Sequence, residues 1–148
     1  MTINFQSDSV VMPALDCAKL QQWIAAVAKS YGFRVGAITY IFCNDEKILE
    51  VNRQFLQHDY YTDIITFDDT MGHTIQGDIY ISLDTVASNA KQQQTDFQDE
   101  LHRVIIHGVL HLCGINDKGP GERAIMEAAE NKALALLHHQ YLYDFEKY

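Results

Sequence analysis

Little in this chain interrupts it. Its 148 residues hold only two prolines and eight glycines, with no Pro/Gly-rich linker, low-complexity tract or internal repeat. Nothing therefore marks a boundary between domains, and a single domain over residues 1–148 is expected. The three cysteines, Cys17, Cys43 and Cys113, are widely spaced and form no CxxC pair, which suits a reducing compartment. No stretch approaches the roughly 18 uninterrupted apolar residues that a bilayer span needs. The opening Met1-Thr2-Ile3-Asn4-Phe5 lacks the basic start and apolar core of a signal peptide. A cytoplasmic protein with no membrane partner is the expectation. Positive charge is also in deficit: 11 Lys and Arg face 20 Asp and Glu, a formal net charge of −9. That argues against bulk electrostatic binding of nucleic acid, whose affinity comes largely from neutralised phosphates. Any such function needs a local basic pocket.

What is present is ordinary globular material, 47% apolar and 21% charged, so a real core is expected. Residues 2–6 suit a short edge strand. Leu20, Trp23, Ile24, Val27, Ala28 and Tyr31 recur at helical spacing, with Gly32 as the stop. Residues 35–43 are β-branched and aromatic, the composition of a strand. Asn44 is placed to cap a helix carrying Ile48, Val51, Asn52, Phe55 and Leu56. Two strand-like runs, 63–68 and 74–82, joined through Met71-Gly72-His73, predict a hairpin. Ser82 or Asp84 can cap a helix over about 83–93, and Thr95 or Asp96 the next, through Leu101, Val104, Ile105 and Leu112. After the turn Gly119-Pro120-Gly121, a last helix over about 122–139 has Ile125, Met126, Ala129, Ala133, Leu134 and Leu137 inward. A hairpin set between helices predicts an α+β class rather than an alternating parallel sheet.

The most informative stretch is His107-Gly108-Val109-Leu110-His111-Leu112-Cys113-Gly114-Ile115-Asn116-Asp117. Two imidazoles four residues apart share a helix face and can point at one ion. Gly114 can end the helix in the left-handed conformation of a C′ residue, and the chain can then return Asp117 to the same point. His107, His111 and Asp117 are thus candidate ligands of one zinc with an open fourth position, the usual arrangement of catalytic zinc. A water there would have its pKa lowered toward ~7. The plainer alternative is two histidines on a half-buried helix face. Zinc peptidases of the HExxH kind carry a glutamate after the first histidine. Gly108 stands there instead, which marks peptide hydrolysis down and leaves phosphoester cleavage, where a cation offsets charge on the phosphoryl oxygens. Cys113 turns away from the metal face and is read as packing.

These residues resemble the YbeY-type bacterial rRNA maturation factors, which are metal-dependent endoribonucleases with the signature HGxLHLxGyDH. His107 through Asp117 match it at all but three positions: Ile115 replaces the aromatic, Asn116 the aspartate and Asp117 the third histidine. Asn52 through Phe67 are similar to the family's LNxxYRxxdxpTDVLSFp segment, with Thr62-Asp63-Ile64-Ile65-Thr66-Phe67 at TDVLSF. Gly77-Asp78-Ile79-Tyr80-Ile81-Ser82 is similar to its GDIxIS strand, and Met126 and Glu130 to its MxxxE segment. The blocks run in order over about residues 45–135. The resemblance implies a small mixed β-sheet packed by helices with a metal-site cleft, one zinc ion per chain, and catalysis by His107, His111 and Asp117. It further implies cleavage of single-stranded RNA in 16S rRNA maturation and ribosome quality control. The implied partners are rRNA, the small ribosomal subunit and ribosomal or assembly-factor proteins.

Two departures have physical consequences. A carboxylate in place of a third imidazole lowers the net charge of the ligated ion by one, so bound water is acidified less strongly; Asp117 could instead hydrogen-bond a ligand. The family's arginine, expected on phosphate, falls at Leu56, and an apolar side chain cannot replace a guanidinium fork. Arg53 and Lys118 are the candidate substitutes, with a solvated surface role as their alternative. Thr62 and Asp63 are candidates to line the cleft, or else a turn at a strand start. Asp78 is divided between ordering a histidine and pairing with Arg103. His102 is expected at the surface, His138 and His139 at a solvated helix end, and Tyr141-Leu142-Tyr143-Asp144-Phe145 as a flap on the core. A rival reading is a ribosome-assembly factor whose metal is structural and whose nuclease activity is weak or lost. A metallohydrolase with a small phosphoester or amide substrate is a third.

Overall fold

Alternation along Arg34–Cys43 sends Ile38, Tyr40 and Phe42 to one side and Cys43 to the other, each fully buried. A strand buried on both faces belongs inside a sheet, with helices on either side. The computed structural model, which describes residues 1–56 and 62–142, has this arrangement. Its strands are β1 (Thr2–Ser7), β2 (Arg34–Cys43), β3 (Ile64–Asp68) and β4 (Thr74–Ser82), in the spatial order β1-β2-β4-β3. The pairs β1–β2 and β2–β4 are parallel, and β3–β4 is antiparallel. Parallel neighbours need a crossover. Helix α1 (Cys17–Ser30) connects β1 to β2; α2 (Asp45–Val51) and β3 lie between β2 and β4. The expected hairpin closes through reciprocal bonds between Met71 and Thr74, 3.0 and 2.9 Å long.

Helices α3 (Leu83–Gln93), α4 (Phe97–Leu112) and α5 (Glu122–Leu136) complete the α+β fold. Trp23 and Ile24 of α1, Ile105 and Val109 of α4, and Met126 and Ala133 of α5 join Ile38, Tyr40 and Ile79 of the sheet in one core. A smaller cluster, Cys43, Ile48, Val51 and Ile65, fills the other face under α2. Two buried polar groups tie the layers together: Tyr40 Oη donates to Ile105 O and Trp23 Nε1 to Ala133 O, both at 2.8 Å. Asn44 caps α2 through Lys47 N, and Ser82 caps α3 through Thr85 N. Ser82 and Thr85 also donate to one oxygen of Asp45, locking the starts of α2 and α3 together.

Helix α4 lies close on the sheet because Gly108 has no side chain. A Cβ there would meet Ile79 Cδ1 at 2.9 Å and Ile64 Cδ1 at 3.3 Å. Gly114 (φ 91°) follows the C-cap Cys113 in the left-handed conformation, as expected of a helix stop. Cys113 is buried and its thiol is pushed up to about 11 by burial, consistent with packing.

Three expectations are corrected. Helix α2 gives way at Asn52 to a π-helical turn, Asn52–Leu56, whose extra residue rotates the apolar stripe. Phe55 and Leu56 are therefore 59% and 39% exposed, and Phe55 rests edge-on against Phe67. Ile125 is 62% exposed, because Met126 holds the inward position in that turn of α5. His102 is not on the surface; it is 6% exposed, edge-on to Trp23, because α1 covers the flank of α4 that faces away from the cleft. Of the C-terminal segment, Tyr141 and Leu142 pack on the core, while Tyr143-Asp144-Phe145 lie outside the described residues. His138 and His139 are exposed, as expected.

Gly77 permits the β3–β4 hairpin at its tightest point, since a Cβ would run into the carbonyl oxygen of Phe67. Gly77→Ala is expected to cost about 3 kcal/mol, read as a lower urea midpoint; an unchanged midpoint would show that the hairpin can move apart freely. His102 gives a pH signature. Burial, with the His138 charge, pushes it down to about 4 from 6.5, although Asp99 opposes this. As pH falls below 6.5 the unfolded chain therefore takes up the proton first, and stability declines until the folded imidazole titrates near 4. Between pH 7 and 5 the wild type should lose about 2 kcal/mol more than His102→Leu. Parallel denaturation curves at the two pH values would contradict this.

Candidate active site

Helix α4 presents Glu100, Arg103, His107 and His111 along one stripe, spaced by three and four residues, into a cleft of about 850 Å³. Strand β3 and the residues before it supply a wall with Thr62, Asp63 and Thr66. The loop after α4 and the first turns of α5 supply Asp117, Lys118 and Arg123. Leu56 lines the cleft from the π-helical turn, where the expected arginine would have stood.

At the centre is a chain of four side chains between α4 and α5. Arg103 Nη1 donates to Glu130 Oε1 at 2.9 Å, and Arg103 Nη2 to Asn131 Oδ1 at 2.7 Å. The other oxygen of Glu130 is 2.7 Å from His107 Nδ1. With Nδ1 engaged, the opposite nitrogen of His107 points to Asp117, whose Oδ2 is 3.4 Å from Nε2. A carboxylate that holds one imidazole nitrogen fixes both the tautomer and the direction of the other.

The charges in the cleft influence one another. Burial alone would lower the His107 pKa, but the Glu130 hydrogen bond and the charges of Glu130, Asp117 and Asp63 overcome it and raise the pKa above its ordinary value. Burial would raise Glu130, yet its hydrogen bonds to His107 and Arg103 hold it below the usual carboxylate range. Asp63 is raised, chiefly by burial and despite His107. Glu100 is raised in the same way, with Arg103 opposing. Carboxyl groups driven in opposite directions within one cleft are characteristic of sites that handle protons.

The sequence-derived candidates divide by position. His107, His111, Asp117, Lys118, Thr62 and Asp63 all border this cleft. Thr62 also donates to Ile64 O at 3.4 Å, in keeping with a turn. Arg53 lies elsewhere, on a shallow groove with Glu46, Leu49, Glu50 and Gln54. Asp78 is exposed on β4 and takes neither proposed role, since Arg103 pairs with Glu130 instead. The sequence reading assigned no role to Glu100 or to Arg123. Glu100 was legible in principle, because it stands seven residues before His107 on the same helical face.

As donors for a metal, the residues suit zinc: two imidazoles and a carboxylate. Two ligand atoms about 2.1 Å from a tetrahedral zinc lie roughly 3.4 Å apart, and the pair His107 Nε2 and Asp117 Oδ2 has that separation. His111 borders the cleft without completing the set; among the described residues no three His, Cys, Asp or Glu side chains already enclose a point that could hold an ion.

An α+β fold whose cleft gathers imidazoles, carboxylates of divided acidity and cations has the groups of a hydrolase. Residues 2–138 match the sequence profile of the family described as Endoribonuclease YbeY. The chain is 64% identical over 136 residues to a Bacteroides thetaiotaomicron protein of that name, spanning 92% of this chain and 99% of that one. It is 67% identical over 135 residues to its Phocaeicola vulgatus counterpart, spanning 91% and 98%. The solution structure of TM1509 from Thermotoga maritima superposes with a TM-score of 0.63 at 27% identity, over 90% of this chain and 87% of that one. The chain belongs to the YbeY endoribonuclease family. Membership supports an endoribonuclease role, a hydrolase acting on RNA.

The Glu130–His107 contact should show in stability. A raised histidine contributes fully below its unfolded value of 6.5 and loses that contribution as pH rises through its folded pKa. A lowered glutamate contributes above 4.5 and loses it as pH falls through its folded pKa. In protein stripped of divalent cations, Glu130→Gln should therefore be destabilised most between pH 4.5 and 6.5, by on the order of 1–3 kcal/mol. A destabilisation that does not vary with pH would leave only a packing role for Glu130.

Proposed function

We propose that this chain is a zinc-dependent, single-strand endoribonuclease that acts in 16S rRNA maturation and ribosome quality control. The observation that carries the reading is the orientation of His107: Glu130 holds Nδ1, and Nε2 faces Asp117 in the cleft that His111 also borders. These three residues would hold one zinc ion, which when bound supplies positive charge to the scissile phosphate and acidifies a water. Glu130 keeps His107 in the orientation needed, and Arg103 keeps Glu130 ionised. Asp63, raised by burial, is suited to pass a proton to or from the strand. Lys118 borders the same cleft, which supports a phosphate contact. Single strands suit such a cleft because unstacked nucleotides can enter it. The partners in this reading are rRNA in the small ribosomal subunit, with ribosomal or assembly-factor proteins around it, in the cytoplasm.

One observation favours a second reading, an assembly factor with a mainly structural metal and weak or no nuclease activity. Leu56 lines the cleft where an arginine would contact phosphate. Arg53 stands outside the cleft, on the α2 groove, and so supports a direct phosphate role less well than Lys118 does.

Metal analysis and cleavage assays separate the two. The purified protein should carry about one zinc per chain, reduced in Asp117→Ala and in His111→Ala. Wild type should cleave single-stranded RNA, with His111→Ala slower by about a hundredfold or more. In cells lacking the gene, unprocessed 16S rRNA ends should accumulate and be restored by wild type but not by His111→Ala. Restoration by His111→Ala would sink the nuclease reading in favour of the assembly factor, and unchanged zinc in Asp117→Ala would remove Asp117 as a ligand.

A further inference from the structure

We propose that Lys118 and Arg123 together form the phosphate grip of the cleft, in place of the missing arginine at Leu56. The proposal rests on the ribonuclease reading above and names the residues that would seat the RNA backbone. Among the described residues three cations border the cleft, Arg103, Lys118 and Arg123. They stand among five carboxyl groups, Asp63, Glu100, Asp117, Glu127 and Glu130. An anionic strand entering this cavity therefore needs cations that the carboxylates have not already engaged.

Arg103 is engaged. Its guanidinium spans Glu130 and Asn131 at 2.9 and 2.7 Å, and turning it toward substrate would release Glu130 and with it the orientation of His107. Lys118 and Arg123 differ in this respect. Both are exposed at the mouth of the cleft. Among the described residues neither side chain has a hydrogen bond or ion pair. The chain also brings them together. The bond from Glu122 N to Gly119 O, 3.1 Å, closes a turn directly after Lys118 and sets Arg123 in the first turn of α5. Lys118 in turn follows Asp117, whose carboxylate lies against His107. The two cations therefore stand beside the groups that would act on the phosphodiester. An arginine fork can take two phosphate oxygens at once, and a neighbouring ammonium adds a point charge.

Salt dependence tests the grip, because each phosphate neutralised by a cation adds about 0.7 to the slope of log affinity against log salt for a single strand. The probe is a single-stranded 2′-O-methyl RNA oligonucleotide, which keeps the phosphates, with its intactness after each titration checked by electrophoresis. Arg123→Gln should bind it about tenfold more weakly at low salt, with a slope shallower by about 0.7. Lys118→Gln should act similarly, and the double variant should lose about 1.4 of slope. Arg123→Lys should keep the slope and lose only part of the affinity, because the charge survives and the fork does not. Wild-type affinity and slope in both single Gln variants would overturn the grip and leave the ribonuclease reading standing. A wild type that does not bind the oligonucleotide at any salt would overturn both.

Discussion

Glu130 is shared between Arg103 and His107, and the cleft is arranged around that sharing. Its two oxygens lie 2.9 and 2.7 Å from groups four residues apart on α4, so one carboxylate of α5 bridges two positions of α4. A carboxylate taken out of water is tolerated only when its lone pairs are met, and here a guanidinium and an imidazole meet them. The same contact decides which nitrogen of His107 faces the cleft. Structure and chemistry are therefore hard to separate at this residue, since what holds the two helices together also aims the imidazole.

The approach of α4 to the sheet is the second condition. Gly108 lies against Ile64 and Ile79, so a side chain there would have to push the ends of those isoleucines aside. His107 and His111 flank that contact in sequence and border the cleft. The glycine that takes the place of a peptidase glutamate thus suits the close packing of helix on sheet. Electrostatics then sort the carboxyls: Glu130 is held low by its two partners, while Asp63 and Glu100, with less compensation, are pushed up by burial. The overall charge of −9 is no obstacle to an anionic substrate if the few cations at the cleft mouth are disengaged.

Much of this could be read from the residues. The strand of 35–43, the hairpin around Gly72 and the helix ending at Gly114 follow from periodicity and turn chemistry, and the structure has them within a residue or two. Where the reading went astray, tertiary contacts outweighed local pattern. Phe55 and Leu56 continue an apolar spacing, but the π-helical turn rotates them outward. His102 looks like a surface residue when α4 is considered alone, because nothing local announces that α1 covers that flank. Arg103 had Asp78 as a candidate partner, but Asp78 stands exposed on β4. The partner Arg103 takes, Glu130, is 27 residues further along, on another helix.

Spacing alone was enough to place two imidazoles on one helix face, to end that helix at a glycine and to bring a carboxylate after it, because helix geometry and glycine conformation are local properties of the chain. Which groups pair across the cleft, which carboxyl is held low and which high, and which cations remain for a substrate depended on the docking of α4 between the sheet and α5. Those are properties of distance and burial between residues far apart in sequence, and no periodicity encodes them. The family resemblance pointed to an arginine at Leu56, and the fold instead put two other cations, Lys118 and Arg123, at the mouth of the same cleft.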